Sequence, residues 1–263
     1  MASKCHYNKY NNPSYVVVIF AVLCFFSQSA LSDPRISEVG HYCSTQKSQT
    51  TSGDYFPIFT KEMEKLQELV TKQNWGIHSE GMSSTTTTPI YGLAQCFQDL
   101  SSIDCLQCFA ASRTKLPRCL PSVSARIYLD GCFLRYDNYS FYTENYDPLR
   151  DTVNCTSEYD SEGERLVFAE SVGKVVESVV RVAVNNNEER GFFAVGEGGG
   201  VYALAQCWKT VGVKGCSDCL RKAENEVKGC LPKREGRALN TGCYLRYSTV
   251  KFYNQGGQDG QGD

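Results

Sequence analysis

The sequence predicts an α+β fold built from two tandem, disulfide-rich domains, each an antiparallel sheet packed with one long and one short helix. Three observations predict it: a cysteine pattern that occurs twice, helical spacing of apolar residues ahead of each copy, and alternating apolar and polar residues near its end. With 263 residues and 41% hydrophobic content, the chain can form one or two globular domains and is too apolar for a disordered protein.

Charge and histidine content exclude several classes of protein. The chain has 27 Lys plus Arg against 29 Asp plus Glu, a formal net charge of −2. A nucleic-acid binder needs a basic surface, so no nucleic-acid partner is expected. The three histidines limit metal sites and histidine-based catalysis.

The N-terminus predicts a secretory signal peptide over residues 1–32. Two lysines precede an uninterrupted apolar run of 11 residues, 16–26, and small residues follow up to Ser32. That run is shorter than the roughly 20 residues of a transmembrane helix. We therefore expect a secreted protein of the apoplast with no membrane span after signal removal.

The cysteines fall into two copies of one pattern. Two of the 14 lie in the predicted signal peptide, and ten of the other 12 follow C-x8-C-x2-C-x10-C-x12-C, starting at Cys96 and again at Cys207. All five pairs are offset by 111 residues, while Cys43 and Cys155 are offset by 112. An even number of cysteines in an oxidising compartment predicts disulfides within each copy, although spacing alone leaves 15 pairings open for six cysteines.

The duplication extends beyond cysteine and sets the domain boundaries. Residues 91–142 and 202–253 share 18 identities in 52 aligned positions. We expect a first domain over 33–145, a second over 146–254 and a flexible tail over 255–263.

Each copy predicts the same order of elements. Apolar residues recur at helical spacing from Phe59 to Val70 and from Leu166 to Ala183, which predicts the long helices. Shorter helices are expected over 104–116 and 217–228, and antiparallel strands around 126–142 and 237–253. Arg135 and Arg246 are expected to be structural residues on the solvent face of their strands, and the two domains are expected to pack through sheet edges or helices.

The repeated pattern, together with C-[FY]-L-R-Y at Cys132 and Cys243, resembles the plant ginkbilobin-homologous (salt-stress-response/antifungal) domain. Tandem copies are similar to cysteine-rich repeat secretory proteins and to ectodomains of cysteine-rich receptor-like kinases. The resemblance implies that the first cysteine pairs with the fifth, the second with the third and the fourth with the sixth. The implied bridges are Cys43–Cys119, Cys96–Cys105, Cys108–Cys132, Cys155–Cys230, Cys207–Cys216 and Cys219–Cys243.

The resemblance also implies a carbohydrate site. The antifungal member of the family binds mannose through an Asn after the first cysteine, an Arg six before the last and a Glu five after it. The corresponding residues are Ser44, Arg126 and Asp137 in the first copy and Thr156, Arg237 and Ser248 in the second. An arginine and a carboxylate can bracket neighbouring sugar hydroxyls, so any sugar is expected at the first copy. The alternative is that both arginines bond neighbouring groups of the sheet.

Other chemistry finds little support in the residues. Each copy has one C-x2-C without a second ligand pair, so no metal and no cofactor are expected. Pairing of every cysteine leaves no thiol nucleophile, and no enzyme is expected. Asn138 and Asn154 fit the N-glycosylation sequon.

The sequence therefore predicts a non-enzymatic recognition protein of stress or defence signalling. Its expected partner is an extracellular protein or a cell-wall carbohydrate, with homo- or hetero-association open. Three alternatives remain: a truncated receptor-like kinase ectodomain, a plasmodesmata-located regulator, and a mannose-binding antifungal lectin.

Overall fold

The computed structural model describes residues 35–48, 52–81, 89–155, 165–186 and 191–254. The predicted signal peptide, Thr156 and the tail over 255–263 lie outside these residues. None of the described helices combines the length and apolar character that a membrane span requires.

The first repeat is a five-stranded sheet with two helices. Its strand order is β1-β4-β5-β3-β2, and every neighbouring pair is antiparallel. The elements are β1 (Glu38–Cys43), α1 (Ser52–Gln73), β2 (Trp75–Glu80), β3 (Ile90–Cys96), α2 (Ser102–Lys115), β4 (Ala125–Leu129) and β5 (Cys132–Asp137).

The second repeat has the same topology. Its strand order is β6-β9-β10-β8-β7, again with antiparallel neighbours throughout. The elements are β6 (Thr152–Cys155), α3 (Arg165–Asn185), β7 (Phe193–Gly198), β8 (Val201–Cys207), α4 (Gly212–Lys228), β9 (Glu235–Leu239) and β10 (Cys243–Ser248). Two disulfide-rich α+β domains are thus confirmed.

The long helices pack on one face of each sheet. On α1 the buried residues follow steps of three and four and form one apolar stripe: Tyr55, Phe59, Met63, Leu66 and Val70. The stripe on α3 is richer in valine and includes Phe168, Val172, Val176, Val179 and Ala183. Each stripe belongs to the core of its own repeat.

The short helices begin earlier than their sequence pattern predicts. At α2 the Ser101 hydroxyl accepts a hydrogen bond from the Asp104 backbone N–H at 3.1 Å, so the cap lies three residues before the predicted start. The last helix, α4, begins at Gly212 rather than Ser217.

Three disulfides connect the elements of each repeat. Two attach the short helix to the sheet through the C-x2-C cysteines, and the third closes a loop of about 75 residues. The bridges are Cys43–Cys119, Cys96–Cys105, Cys108–Cys132, Cys155–Cys230, Cys207–Cys216 and Cys219–Cys243, the pairs that the resemblance implies. The C-x2-C cysteines of each copy therefore belong to two different bridges.

The ranges expected to form antiparallel strands, 126–142 and 237–253, each correspond to two paired strands, β4 with β5 and β9 with β10. The last strand of each pair ends before its range does, at Asp137 and Ser248, where the chain leaves the sheet and turns back over its face. This return places the Phe141 ring 3.9 Å from the Arg135 guanidinium carbon. Arg135 is consequently 2% exposed and Arg246, in the second repeat, 8%, so the expectation that they face solvent is wrong.

The two repeats pack through the faces of their sheets, not through edges or helices as expected. Each sheet directs its second face, opposite the helices, toward the other repeat, and the residues of both faces form one apolar cluster. Its buried members are Leu93, Phe97, Tyr128, Phe133, Phe141, Leu204, Trp208, Leu239, Tyr244 and Tyr253.

Trp208 lies at the centre of this interface. Its ring stacks on Phe133 with centroids 4.4 Å apart and an interplanar angle of 2°, and its N–H donates to the Thr241 carbonyl at 2.8 Å. Such aromatic pairs contribute about 0.5–1.5 kcal/mol beyond the burial of their area. The second face of each sheet therefore needs the other repeat to cover it.

Candidate functional site

The three residues of the predicted sugar site lie near one another on the sheet of the first repeat. The Ser44 backbone N–H donates to the Ser124 carbonyl at 2.9 Å, which places Ser44 beside β4. Arg126 on β4 pairs with Arg135 on β5, and Asp137 lies two residues further along β5 on the same face. The fold thus places Arg126 and Asp137 on adjacent strands and Ser44 directly after β1, beside β4.

Arg126 is covered by the second repeat. It is 2% exposed, and its Nη1 donates to the Thr241 hydroxyl at 2.6 Å. Asp151, in the segment between the repeats, places Oδ1 3.8 Å from the same nitrogen and accepts hydrogen bonds from the Thr241 N–H and hydroxyl, both at 2.7 Å. Arg126 therefore lies within the contact between repeats.

Asp137 is equally buried and is paired with two arginines. Its Oδ2 lies 2.9 Å from Arg135 and 3.5 Å from Arg150, and its Oδ1 accepts from the Asn138 N–H at 3.0 Å. Burial raises the pKa of the Asp137 carboxyl above its ordinary value, although the two arginines oppose this. Protein groups already occupy the hydrogen-bonding positions of the Asp137 carboxylate that the hydroxyls of a bound sugar would use.

Arg135 connects Asp137 to the chain that covers it. Its Nη2 also donates to Glu144 at 2.9 Å and to the Tyr139 hydroxyl at 3.3 Å. Burial disfavours the charge on Arg135, but the hydrogen bonds and charges of Asp137 and Glu144 outweigh it and raise its pKa.

Ser44 is 8% exposed and also has partners. Its hydroxyl accepts from the Gln46 N–H at 3.1 Å, and its carbonyl accepts from the Ser122 hydroxyl at 2.7 Å. As the structure stands, the predicted constellation is assembled and covered by the return of the chain after β5 and by the second repeat.

The second repeat has a corresponding network that the sequence reasoning missed. Arg246 lies 2.8 Å from Glu235 and 3.1 Å from Asp130 of the first repeat, while Arg237 lies 3.2 Å from Asp130. Glu235 pairs directly with Ser248 across β9 and β10. Aligning the two repeats position by position finds Ser248 where the first repeat has Asp137. The register of β9 and β10 would have located Glu235 as the acid opposite that serine.

Two histidines and the two glycosylation sequons are the remaining candidate groups among the described residues. His41 Nδ1 lies 2.9 Å from Glu38, and His78 Nδ1 lies 2.7 Å from Glu62. Asn138 is half-buried, and Asn154 is exposed on β6. Within the described ranges no group of three or more His, Cys, Asp or Glu side chains could hold a metal ion.

Comparison with known proteins gives the family. The family model described as salt stress response/antifungal matches residues 42–139 and 154–250, one match for each repeat. The chain belongs to this family. A relative, cysteine-rich receptor-like protein kinase 42 of Arabidopsis thaliana, is 43% identical over 245 residues, which is 92% of this chain and 35% of the kinase.

A second relative and a solved structure extend the comparison. An antimicrobial ginkbilobin-2-like protein of Castanea crenata is 27% identical, over 81% of this chain and 87% of the relative. The solved tandem DUF26 ectodomain of the cysteine-rich receptor-like protein PDLP8 of Arabidopsis thaliana superposes with a TM-score of 0.69 at 21% identity. It covers 81% of this chain and 98% of that ectodomain, and it shows the shared fold. The family consists of extracellular domains of secreted or receptor-like proteins.

Proposed function

We propose that this family member is a non-enzymatic recognition protein of the apoplast that binds an extracellular partner or cell-wall ligand in stress or defence signalling. The observation that carries this proposal is the match to a receptor-like kinase, which covers 92% of this chain but about a third of the kinase. What the two proteins share is therefore the tandem extracellular module, the part that recognises rather than phosphorylates. A role as a kinase ectodomain or a plasmodesmal regulator would use the same module.

Rigidity supports recognition as the role of this module. Six disulfides, three in each repeat, and a sheet-to-sheet interface fix the relative positions of its surface groups. Binding to a preorganised surface loses less conformational entropy than binding to a flexible one.

The test uses the secreted product of the full chain, immobilised with its disulfides intact. It is presented to an array of plant cell-wall glycans and to a panel of extracellular receptor domains. We expect saturable binding to at least one ligand class, and loss of that binding after reduction and alkylation of the same protein. Absence of saturable binding on both arrays by the oxidised protein would overturn the proposal.

A mannose-binding lectin is the second candidate. Arg126 and Asp137 lie on adjacent strands of one sheet, and Ser44 lies directly after β1 beside β4, which favours it. Binding at these residues requires the Thr241 contact and the chain after β5 to move, because both now cover the two charged groups.

A further inference from the structure

A polar cleft with a volume of about 120 Å³ opens where the two repeats meet. It lies at the end of β3, where the chain leaves the first sheet, and the start of β2 forms one wall. Both repeats line it, the first with Asn74, Trp75 and Gln98 and the second with Gly191, Gln206 and Lys209.

The floor of the cleft is fixed by hydrogen bonds between the repeats. The Gln95 side-chain amide donates to the Cys207 carbonyl at 3.1 Å, and its oxygen accepts from the Lys209 backbone N–H at 2.9 Å. The Gln206 side chain accepts from the Gln98 backbone N–H at 3.2 Å and donates to the Gly191 carbonyl at 2.9 Å. Because these buried amides are satisfied, the floor is formed before any ligand arrives.

The rim of the cleft, in contrast, holds uncommitted polar groups. Within the described part of the chain, the side-chain amides of Gln73, Asn74 and Gln98 make no hydrogen bond. The Lys209 ammonium makes no ion pair there, and it lies 5.4 Å from the centroid of the half-buried Trp75 ring. Among the described residues that line the cleft, Lys209 is the one with a charged side chain.

We propose that this cleft binds one carboxylate-bearing sugar unit of an extracellular oligosaccharide. The proposal rests on the recognition function proposed above and assigns it a site and a ligand class. A sugar carboxylate would accept a charge-assisted hydrogen bond from Lys209, which pairs with no acid of the described lining. The amides offer donors and acceptors to the hydroxyls, and the Trp75 indole offers an apolar wall to the ring.

The size of the cleft limits what it can hold. Pockets that enclose a whole drug-sized ligand measure roughly 300–1,000 Å³. A cleft of about 120 Å³ accommodates part of such a ligand, so the remainder of the oligosaccharide would extend over the surface.

The internal duplication supplies matched variants. Lys209 occupies the position of Gln98 at the 111-residue offset, and the backbone N–H of each donates to a glutamine of the other repeat. Trp75 pairs with Gln95 as Phe193 pairs with Gln206. Lys209→Gln and Trp75→Phe therefore introduce residues that the other repeat already carries in the same setting.

The experiment measures binding of three probes to the secreted product by calorimetry. The probes are penta-galacturonate, its fully methyl-esterified form and penta-glutamate. We expect penta-galacturonate to bind about tenfold more tightly than its ester, because a hydrogen bond to a charged group outweighs a neutral one. Lys209→Gln should remove that preference, Lys209→Arg should keep it, and Trp75→Ala should weaken both sugars while Trp75→Phe weakens them less.

Several results would overturn the proposal. These are equal affinity for the acid and its ester, an unchanged preference in Lys209→Gln, or equal binding of penta-glutamate, which would indicate an acidic peptide instead. Melting temperatures of all variants establish that each is folded. If penta-galacturonate does not bind while the arrays identify another ligand, this site assignment fails and the recognition function stands. If nothing binds in either experiment, both fail.

Discussion

In the first repeat the guanidinium of Arg135 lies 3.9 Å from the Phe141 ring, and in the second Arg246 lies 3.9 Å from Phe252. The acids that pair with these arginines come from different strands. Arg135 is paired with Asp137 on its own strand, β5, whereas Arg246 is paired with Glu235 on the neighbouring strand, β9.

The register of the paired strands explains how an acid on either strand can pair with the buried arginine. Glu235 and Ser248 face each other across β9 and β10, and the corresponding pair in the first repeat is Ser124 and Asp137. Each repeat thus has one acid and one serine at this pair of positions. In the first repeat the acid is on the last strand, and in the second repeat it is on the neighbouring strand. In each repeat the buried arginine is therefore paired with an acid at the same place in the sheet, although the two acids are not at aligned sequence positions.

The helix–sheet cores differ in a second way. Glu62 on α1 occupies the place of Val175 on α3, because the buried stripes of the two helices match at an offset of 113 residues. The Glu62 side chain is fully buried, its Oε2 bonds His78, and its Oε1 has no hydrogen-bond partner among the described residues. A Cβ at Gly92 would overlap this carboxyl, and the second repeat has Ala203 at that position.

Full reduction of the disulfides should have the largest effect, and it should affect both repeats. Each repeat has a small core, and its longest bridge closes a loop of 76 or 75 residues, worth about 4 kcal/mol in the chain-entropy model. We expect the cooperative thermal transition seen by calorimetry to disappear in strong reductant. A retained transition would show that one core is stable without its bridges.

Titration of the oxidised, denatured mature protein should find no free thiol.

Moving the acid within the first repeat tests the exchanged arrangement. Asp137→Ser should lower the free energy of unfolding by about 3 kcal/mol, because the partly exposed Glu144 is then the one acid of the described residues that pairs with buried Arg135. The double variant Ser124→Glu/Asp137→Ser copies the second repeat and should recover most of that loss in guanidinium denaturation. A double variant no more stable than Asp137→Ser would contradict the equivalence of the two positions.

The difference at Glu62 predicts a pH dependence confined to the first repeat. Burial raises the pKa of Glu62 to about 7, with His78 opposing the shift. Because the folded state then holds the proton more tightly than the unfolded state, this stabilisation is complete below pH 4.5 and is lost as the pH rises through 7. Between pH 5 and pH 8 the free energy of unfolding should fall by about 2 kcal/mol from this group.

Glu62→Val, which copies the second repeat, should remove this part of the pH dependence. Denaturation curves of both proteins at pH 5 and pH 8 measure it. An equal fall with pH in the variant would assign the dependence to other groups.

The smallest effect is expected for mannose. Any affinity should be weak, since both charged groups of the predicted site are engaged, and it should be lost in Asp137→Ala and kept in Ser248→Ala. Calorimetric titration with mannose measures this, with melting temperatures as the control for folding. Micromolar affinity that survives Asp137→Ala would show that the site is elsewhere.

Much of the fold could be predicted because its signals are local or periodic. The 111-residue offset of five cysteine pairs indicated two domains, and the apolar spacing on α1 and α3 indicated the long helices. The relation of Ser44, Arg126 and Asp137 came from family resemblance, and the fold places Arg126 and Asp137 on adjacent strands with Ser44 beside β4. The cap at Ser101 could have been read from the sequence, since a serine precedes an aspartate by three residues there.

The sequence by itself determined which residues share a strand face, while the tertiary structure decided what covers that face. Alternation placed Arg135 on the strand face opposite Leu134 and Tyr136. It carries no information about which residues cover that face, namely Phe141 from the segment after β5 and Trp208 from the other repeat. Burial of Arg126 likewise depends on Thr241, 115 residues away in the chain. Contacts of such long range arise from the docking of two completed sheets, and no local pattern in either repeat encodes them.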